Sequence, residues 1–157
     1  MKFIRLGIGL LVLVSGVTGC SDGIERFPVA IVTGKVMCQG MPVEKAQIFF
    51  EPIRSRATGP KDETSSKIGK IGYALTDATG EFKVSTYGEG DGAVIGHHKV
   101  RVGAPSSSEF KCECYCNANK PLMEVDVVEG KANEFTLTLR LPTADEAAKS
   151  ASSDETE

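Results

Sequence analysis

Ile71-Gly72-Tyr73-Ala74-Leu75-Thr76-Asp77-Ala78-Thr79-Gly80-Glu81-Phe82-Lys83-Val84-Ser85-Thr86 holds two short runs of strand-forming residues around a four-residue turn. Asp77 and Thr79 carry side chains that hydrogen-bond nearby backbone, and Gly80 accepts the backbone angles that a tight turn demands. Past the turn, Phe82 and Val84 share one face under the period-two rule of a strand. The segment predicts a hairpin with strands at 71–76 and 81–86.

The same alternation runs in both directions from this hairpin. Residues 31–37 are rich in β-branched side chains, with Val32, Gly34 and Val36 on one face; Gln39-Gly40-Met41-Pro42 reads as a turn. Ala46, Ile48 and Phe50 then alternate with Gln47, Phe49 and Glu51, up to Pro52. Downstream, 87–96 is punctuated by glycine, after which His98, Val100 and Val102 share a face and Pro105 ends the strand. Met123, Val125 and Val127 define a sixth strand, Glu129-Gly130-Lys131 a turn, and Phe135, Leu137, Leu139 and Leu141 a seventh, closed by Pro142. Seven short strands without a convincing helix between them predict an all-β fold, a seven-stranded antiparallel β-sandwich over 30–142. Lys35, Glu51 and Pro52 are expected to guard its edges. Residues 54–70 lack apolar periodicity, contain Gly59-Pro60 and predict a long surface loop.

The N-terminus has a different plan. Lys2 and Arg5 precede an apolar run from Leu6 to Val14, and the small residues Ser15 and Gly16 lead to Val17-Thr18-Gly19-Cys20. This is the order of an export signal. The run is about half of the roughly twenty residues that a membrane-crossing helix requires. Val17-Thr18-Gly19-Cys20 resembles the bacterial lipobox, in which two small residues precede a cysteine that receives diacylglycerol. The resemblance implies a signal peptide at 1–19, covalent lipid on Cys20 as the only attached group, and a tether at 20–29. Acyl chains contribute about 0.8 kcal/mol per buried methylene, so two or three of them hold the protein on a membrane that it does not span. In such lipoproteins Asp after the cysteine favours the inner membrane; Ser21 stands there, which implies the outer membrane. The protein is then expected in the cell envelope, facing the periplasm or the cell surface.

Removal of Lys2 and Arg5 takes the net charge of the 157-residue chain from −3 to −5. Asp145, Glu146, Asp154, Glu155 and Glu157 against Lys149 place most of that excess in residues 143–157, which predict an acidic tail, disordered or a frayed helix. The remainder is near neutral and shows no basic stripe, which argues against a nucleic-acid partner.

From Gly34 to Val102 the order of signals resembles the transthyretin-like or carboxypeptidase-regulatory-like β-sandwich domains of small bacterial lipoproteins. Thr33-Gly34-Lys35-Val36, Met41-Pro42-Val43 with Ala46-Gln47-Ile48-Phe49-Phe50, Thr76-Asp77-Ala78-Thr79-Gly80-Glu81-Phe82, and Gly92-Ala93-Val94 with Gly96 and Val100 carry the resemblance. These are turn residues and core hydrophobes. They imply a fold, and by analogy an accessory module without enzymatic activity whose partners are envelope proteins or glycans.

Enzymatic relatives of the sandwich find little support. The hydroxyisourate hydrolases end in Tyr-Arg-Gly-Ser, whereas this domain ends Thr138-Leu139-Arg140-Leu141-Pro142. Intradiol dioxygenases hold iron with two Tyr and two His, but His97 and His98 are neighbours in a strand and point to opposite faces. His98 is expected in the core and His97 outside it. Glu89 and Asp91 lie among glycines without the full spacing of a calcium loop and predict a plain turn.

Four cysteines remain after Cys20. Cys38 ends the first strand, and Cys112, Cys114 and Cys116 alternate in Lys111-Cys112-Glu113-Cys114-Tyr115-Cys116. In an oxidising compartment they suit two disulfides, expected as Cys38 with Cys114 and Cys112 with Cys116. The same four thiols equal a ligand set for copper or zinc, so a thiol-based metal carrier is the alternative. In a flat strand their sulfurs would stand roughly 7 Å apart, so a metal would require the loop to bend.

Overall fold

A computed structural model describes residues 26–53, 69–105 and 113–147. The segment expected to be a signal peptide, Cys20, residues 54–68 of the expected loop, Cys112 and the tail from 148 lie outside them. The fold is all-β. Ten strands occur in chain order: β1 (Val29–Ala30), β2 (Val32–Cys38), β3 (Met41–Pro42), β4 (Gln47–Pro52), β5 (Gly72–Leu75), β6 (Glu81–Lys83), β7 (Ala93–Val94), β8 (Gly96–Gly103), β9 (Met123–Val127) and β10 (Asn133–Leu139). Strands occupy all seven expected places, but the number is ten, because β1, β3 and β7 are two residues long and leave no periodic trace. Among the described residues no helix is long and apolar enough to cross a membrane.

In one sheet β2 lies between β10 and a split neighbour, with β6 against residues 33–35 and β3 against residues 37 and 38. The other sheet runs β5-β4-β8-β9, and β1 pairs with β7 in a small ribbon. A fully antiparallel arrangement is not what forms: β10 runs parallel to β2, with Phe135 beside Gly34 and Leu137 beside Val36. Parallel neighbours require a long connection. Here the chain after Cys38 builds the rest of the domain before β10 returns in the direction of β2. The edge expectation is also corrected. β2 and β4 are interior strands, and Pro52 closes β4 opposite His98, so Lys35, Glu51 and Pro52 guard no edge.

The sheets share one core, an arrangement consistent with a β-sandwich. Val32 and Val36 of β2, Ile48 and Phe50 of β4, Val100 of β8 and Leu137 of β10 are fully buried. Phe50 stands at its centre, its ring 6.3 Å from Phe82 and 5.9 Å from both Phe135 and His98. Gly34 makes room for this cluster: a Cβ there would meet the Phe135 carbonyl oxygen and lie 2.7 Å from the Phe82 ring. Met123 and Leu141, expected inside, are exposed, because each lies at the end of a strand or beyond it.

Asp77 builds the turn between β5 and β6. Its Oδ1 accepts hydrogen bonds from the Thr79 amide (2.8 Å), the Thr79 hydroxyl (2.7 Å) and the Glu81 amide (3.0 Å). Those donors, the Thr79 side chain first, hold its carboxyl below the usual carboxylate range. Beside it the buried Thr76 hydroxyl accepts the Ala46 amide at 2.8 Å and ties the hairpin to β4.

Candidate functional site: the disulfide-bound cap

Cys38 ends β2 in the core, just before a turn in which Gln39 and Gly40 both have positive φ. Cys114 is bonded to it, with Cα atoms 6.0 Å apart and a sequence separation of 76. This is the pairing expected from the sequence. The partner segment is held in place at several points. Tyr115 donates its amide to the Arg140 carbonyl at 2.8 Å, and Leu122 donates to Val100 at 2.8 Å. Asn117 organises the bend between them, accepting the Asn119 amide at 2.8 Å and donating to the Tyr115 hydroxyl at 2.8 Å. Residues 113–122 thus close one end of the two-sheet core. Cys116 is half-buried and packs against that core. Its expected partner, Cys112, lies outside the described residues.

The cap borders a cleft of about 360 Å³ lined by Val102, Tyr115, Asn117, Lys120, Thr138 and Arg140. The Arg140 guanidinium lies 4.5 Å from the Tyr115 ring centroid, within range of a cation–π contact. Its two terminal nitrogens grip the two carboxylate oxygens of Glu146 at 2.8 and 2.9 Å. The guanidinium first, then the Thr143 amide, brings the Glu146 carboxyl down to about 2. Thr143 and Glu146 also form a reciprocal capping box on one helical turn at 144–147. Of the two forms expected for the tail, its start takes the helical one, and residues from 148 lie outside the described residues. Thr143-Ala144-Asp145-Glu146 was a legible signal, since Thr and Glu stand at capping-box spacing; the pairing with Arg140 had none.

The histidines separate as the strand rule requires. His98 is fully buried and its Nε2 donates to the Val94 carbonyl at 2.6 Å, while Nδ1 is buried without a hydrogen-bond partner of good geometry. Burial lowers its pKa. His97 faces outward between Asp126 (Nδ1, 2.8 Å) and Glu124 (Nε2, 3.1 Å), and hydrogen bonds to Asp126 first and Glu124 second raise its pKa. The two carboxylates meet different ring nitrogens and do not converge on one point. Among the described residues no group of three or more His, Cys, Asp or Glu is arranged to hold a metal ion.

Asp91 sits in the plain turn expected of it. Its carboxylate accepts the amides of Thr86 (2.7 Å), Tyr87 (3.0 Å) and Gly88 (2.8 Å). Its pKa is lowered: burial opposes the charge, and these three donors outweigh burial.

The outer faces of the sheets have contrasting chemistry. Across β10, β2 and β6 the rows Glu134-Thr33-Lys83 and Thr136-Lys35-Glu81 bound a polar concavity of about 650 Å³. On the other sheet Phe49 and Tyr73 lie 5.4 Å apart with the Arg101 guanidinium 5.9 Å from the Phe49 ring centroid, and Arg101 pairs with Glu51 at 3.3 Å. Such surfaces offer charge pairs and aromatic area to a partner. No family model matches the chain, and no curated protein or solved structure matches it either.

Proposed function

We propose that the protein is a lipid-anchored lipoprotein of the bacterial cell envelope, carried on Cys20, whose β-sandwich is a structural or interaction module without enzymatic activity. From Gly34 to Val102 the sequence resembles the transthyretin-like or carboxypeptidase-regulatory-like class, and that resemblance suggests envelope proteins or glycans as partners. The observation that carries this reading is the Cys38–Cys114 disulfide, formed in the same chain as an export signal ending at a lipobox. Disulfides persist outside the reducing cytosol, so the bond and the signal imply the same compartment. Several polar side chains of the described residues are engaged in structure: Asp77 and Asp91 cap turns, His98 is packed in the core, and Glu146 closes on Arg140.

The metal-carrier alternative needs thiolates, and a disulfide removes two of its four ligands, Cys38 and Cys114. The test of the leading reading is Cys20→Ala in a bacterial host. The variant should remain an unprocessed precursor and take up no lipid label. Normal maturation of that variant would refute lipidation at Cys20.

A further inference from the structure

We infer that the end of the domain formed by β1, β7 and the turn at 128–132 is the surface that faces the lipid bilayer, with the disulfide-bound cap directed away from it. The inference rests on lipidation at Cys20.

Arg26 is only six residue steps from Cys20, and a fully extended chain of that length reaches about 20 Å. From Phe27 onward the chain is fixed to the body of the domain. The Phe27 amide donates to the Tyr87 hydroxyl at 3.1 Å, the Pro28 carbonyl accepts the Ile95 amide at 3.0 Å, and β1 pairs with β7. The anchor therefore leaves one defined end of the two-sheet core.

That end has the chemistry of a bilayer-facing surface. The buried Asn133 amide gathers the carbonyls of Ile31, Val128 and Lys131, at 3.2, 3.0 and 3.3 Å, which brings the start of β2 beside the 128–132 turn. Ile31 and Val128 expose 53% and 38% of their surface, unlike the buried residues that flank them, Val32 and Val127. Arg26, Lys70 and Lys131 are exposed around them, interspersed with Asp126, Glu129 and Glu134.

The cap lies at the opposite end. β10 runs from Asn133 to Leu139, about 23 Å at a strand's rise per residue, and delivers the chain to the cap at Arg140. A short anchor and the exposed Ile31 and Val128 thus favour the same orientation.

The chain contains no tryptophan, so a single introduced Trp reports its own surroundings. Val128→Trp, Ile31→Trp and Lys120→Trp change exposed positions, the first two at the anchored end and the third on the cap. The lipidated mature protein would be placed in vesicles of phosphatidylethanolamine and phosphatidylglycerol doped with shallow brominated lipid, after mass spectrometry of its N-terminal peptide. We expect Val128→Trp or Ile31→Trp to lose about half of its emission, as for side chains at the headgroup boundary, and Lys120→Trp to keep its emission. Equal quenching at the two ends, stronger quenching on the cap, or none at either end in a lipidated sample would overturn the orientation and leave lipidation standing. An N-terminal peptide without lipid on Cys20 would overturn both.

Discussion

Gly34 shows how one residue governs this core. Its neighbours across β2 are Phe135 on one side and Phe82 on the other, and the Phe135 carbonyl and the Phe82 ring occupy the space that a side chain would fill. Gly34→Ala forces the Phe82 ring and the β10 backbone away, and overpacking of this kind typically costs about 1–3 kcal/mol. Gly88→Ala is the control, since its Cβ would meet nothing nearer than Asp91 Oδ2 at 3.8 Å. Chemical denaturation should show the loss in the first variant and little change in the second; equal behaviour would contradict the packing described.

The two histidines make a second residue-scale prediction, with opposite signs. His98 has a lowered pKa, so as pH falls below its unfolded value of about 6.5 the unfolded chain takes up a proton that the folded chain refuses, and stability drops. His97 has a raised pKa, so its contribution is complete below the same value and is lost as pH rises through its folded pKa. His98→Leu should cost about 1–3 kcal/mol at neutral pH by leaving the Val94 carbonyl unpaired, yet lose less than the parent on acidification. His97→Ala should lower the unfolding midpoint more at about pH 5.5 than at about pH 8.5. Thermal unfolding across that range checks both signs.

At the scale of elements, the strands were legible because their inner faces are apolar and their outer faces polar with little exception. Ile48 and Phe50 against Gln47 and Glu51 needed no tertiary information. Partnership was not legible. Nothing in 133–139 distinguishes a strand that runs parallel to β2 from one that runs antiparallel, since either direction buries Leu137 and Leu139. The edges were misread for the same reason: Lys35 and Glu51 lie on outer faces of interior strands, where charge is as welcome as at an edge. Of the candidate site, Cys38 and Cys114 could be paired from the sequence, whereas Tyr115 stacking on Arg140 depends on where the cap lands. The turn at 144–147 belongs to this scale as well. It is held by the capping box and by an exposed Arg140–Glu146 pair, and pairs of this kind add little to stability in water. Deleting residues 144–157 should move the thermal midpoint by no more than a few degrees, and a large loss would show that the tail supports the core.

For the whole molecule, the disulfide is the covalent link between the first long strand and the cap. Closing a loop of 76 residues stabilises the fold by about 4 kcal/mol in the chain-entropy model, so Cys38→Ser should lower stability on that order. The bond also connects the fold to its proposed setting, because an export signal, an anchored Cys20 and an oxidised core all belong to the cell envelope. Mass spectrometry of the mature protein, isolated from membranes and digested without reduction, tests this directly. The predicted result is an N-terminal peptide that begins at Cys20 and carries diacylglycerol, together with a peptide pair crosslinked through Cys38 and Cys114. An unmodified Cys20, or Cys38 and Cys114 recovered as thiols with bound copper or zinc, would contradict the account.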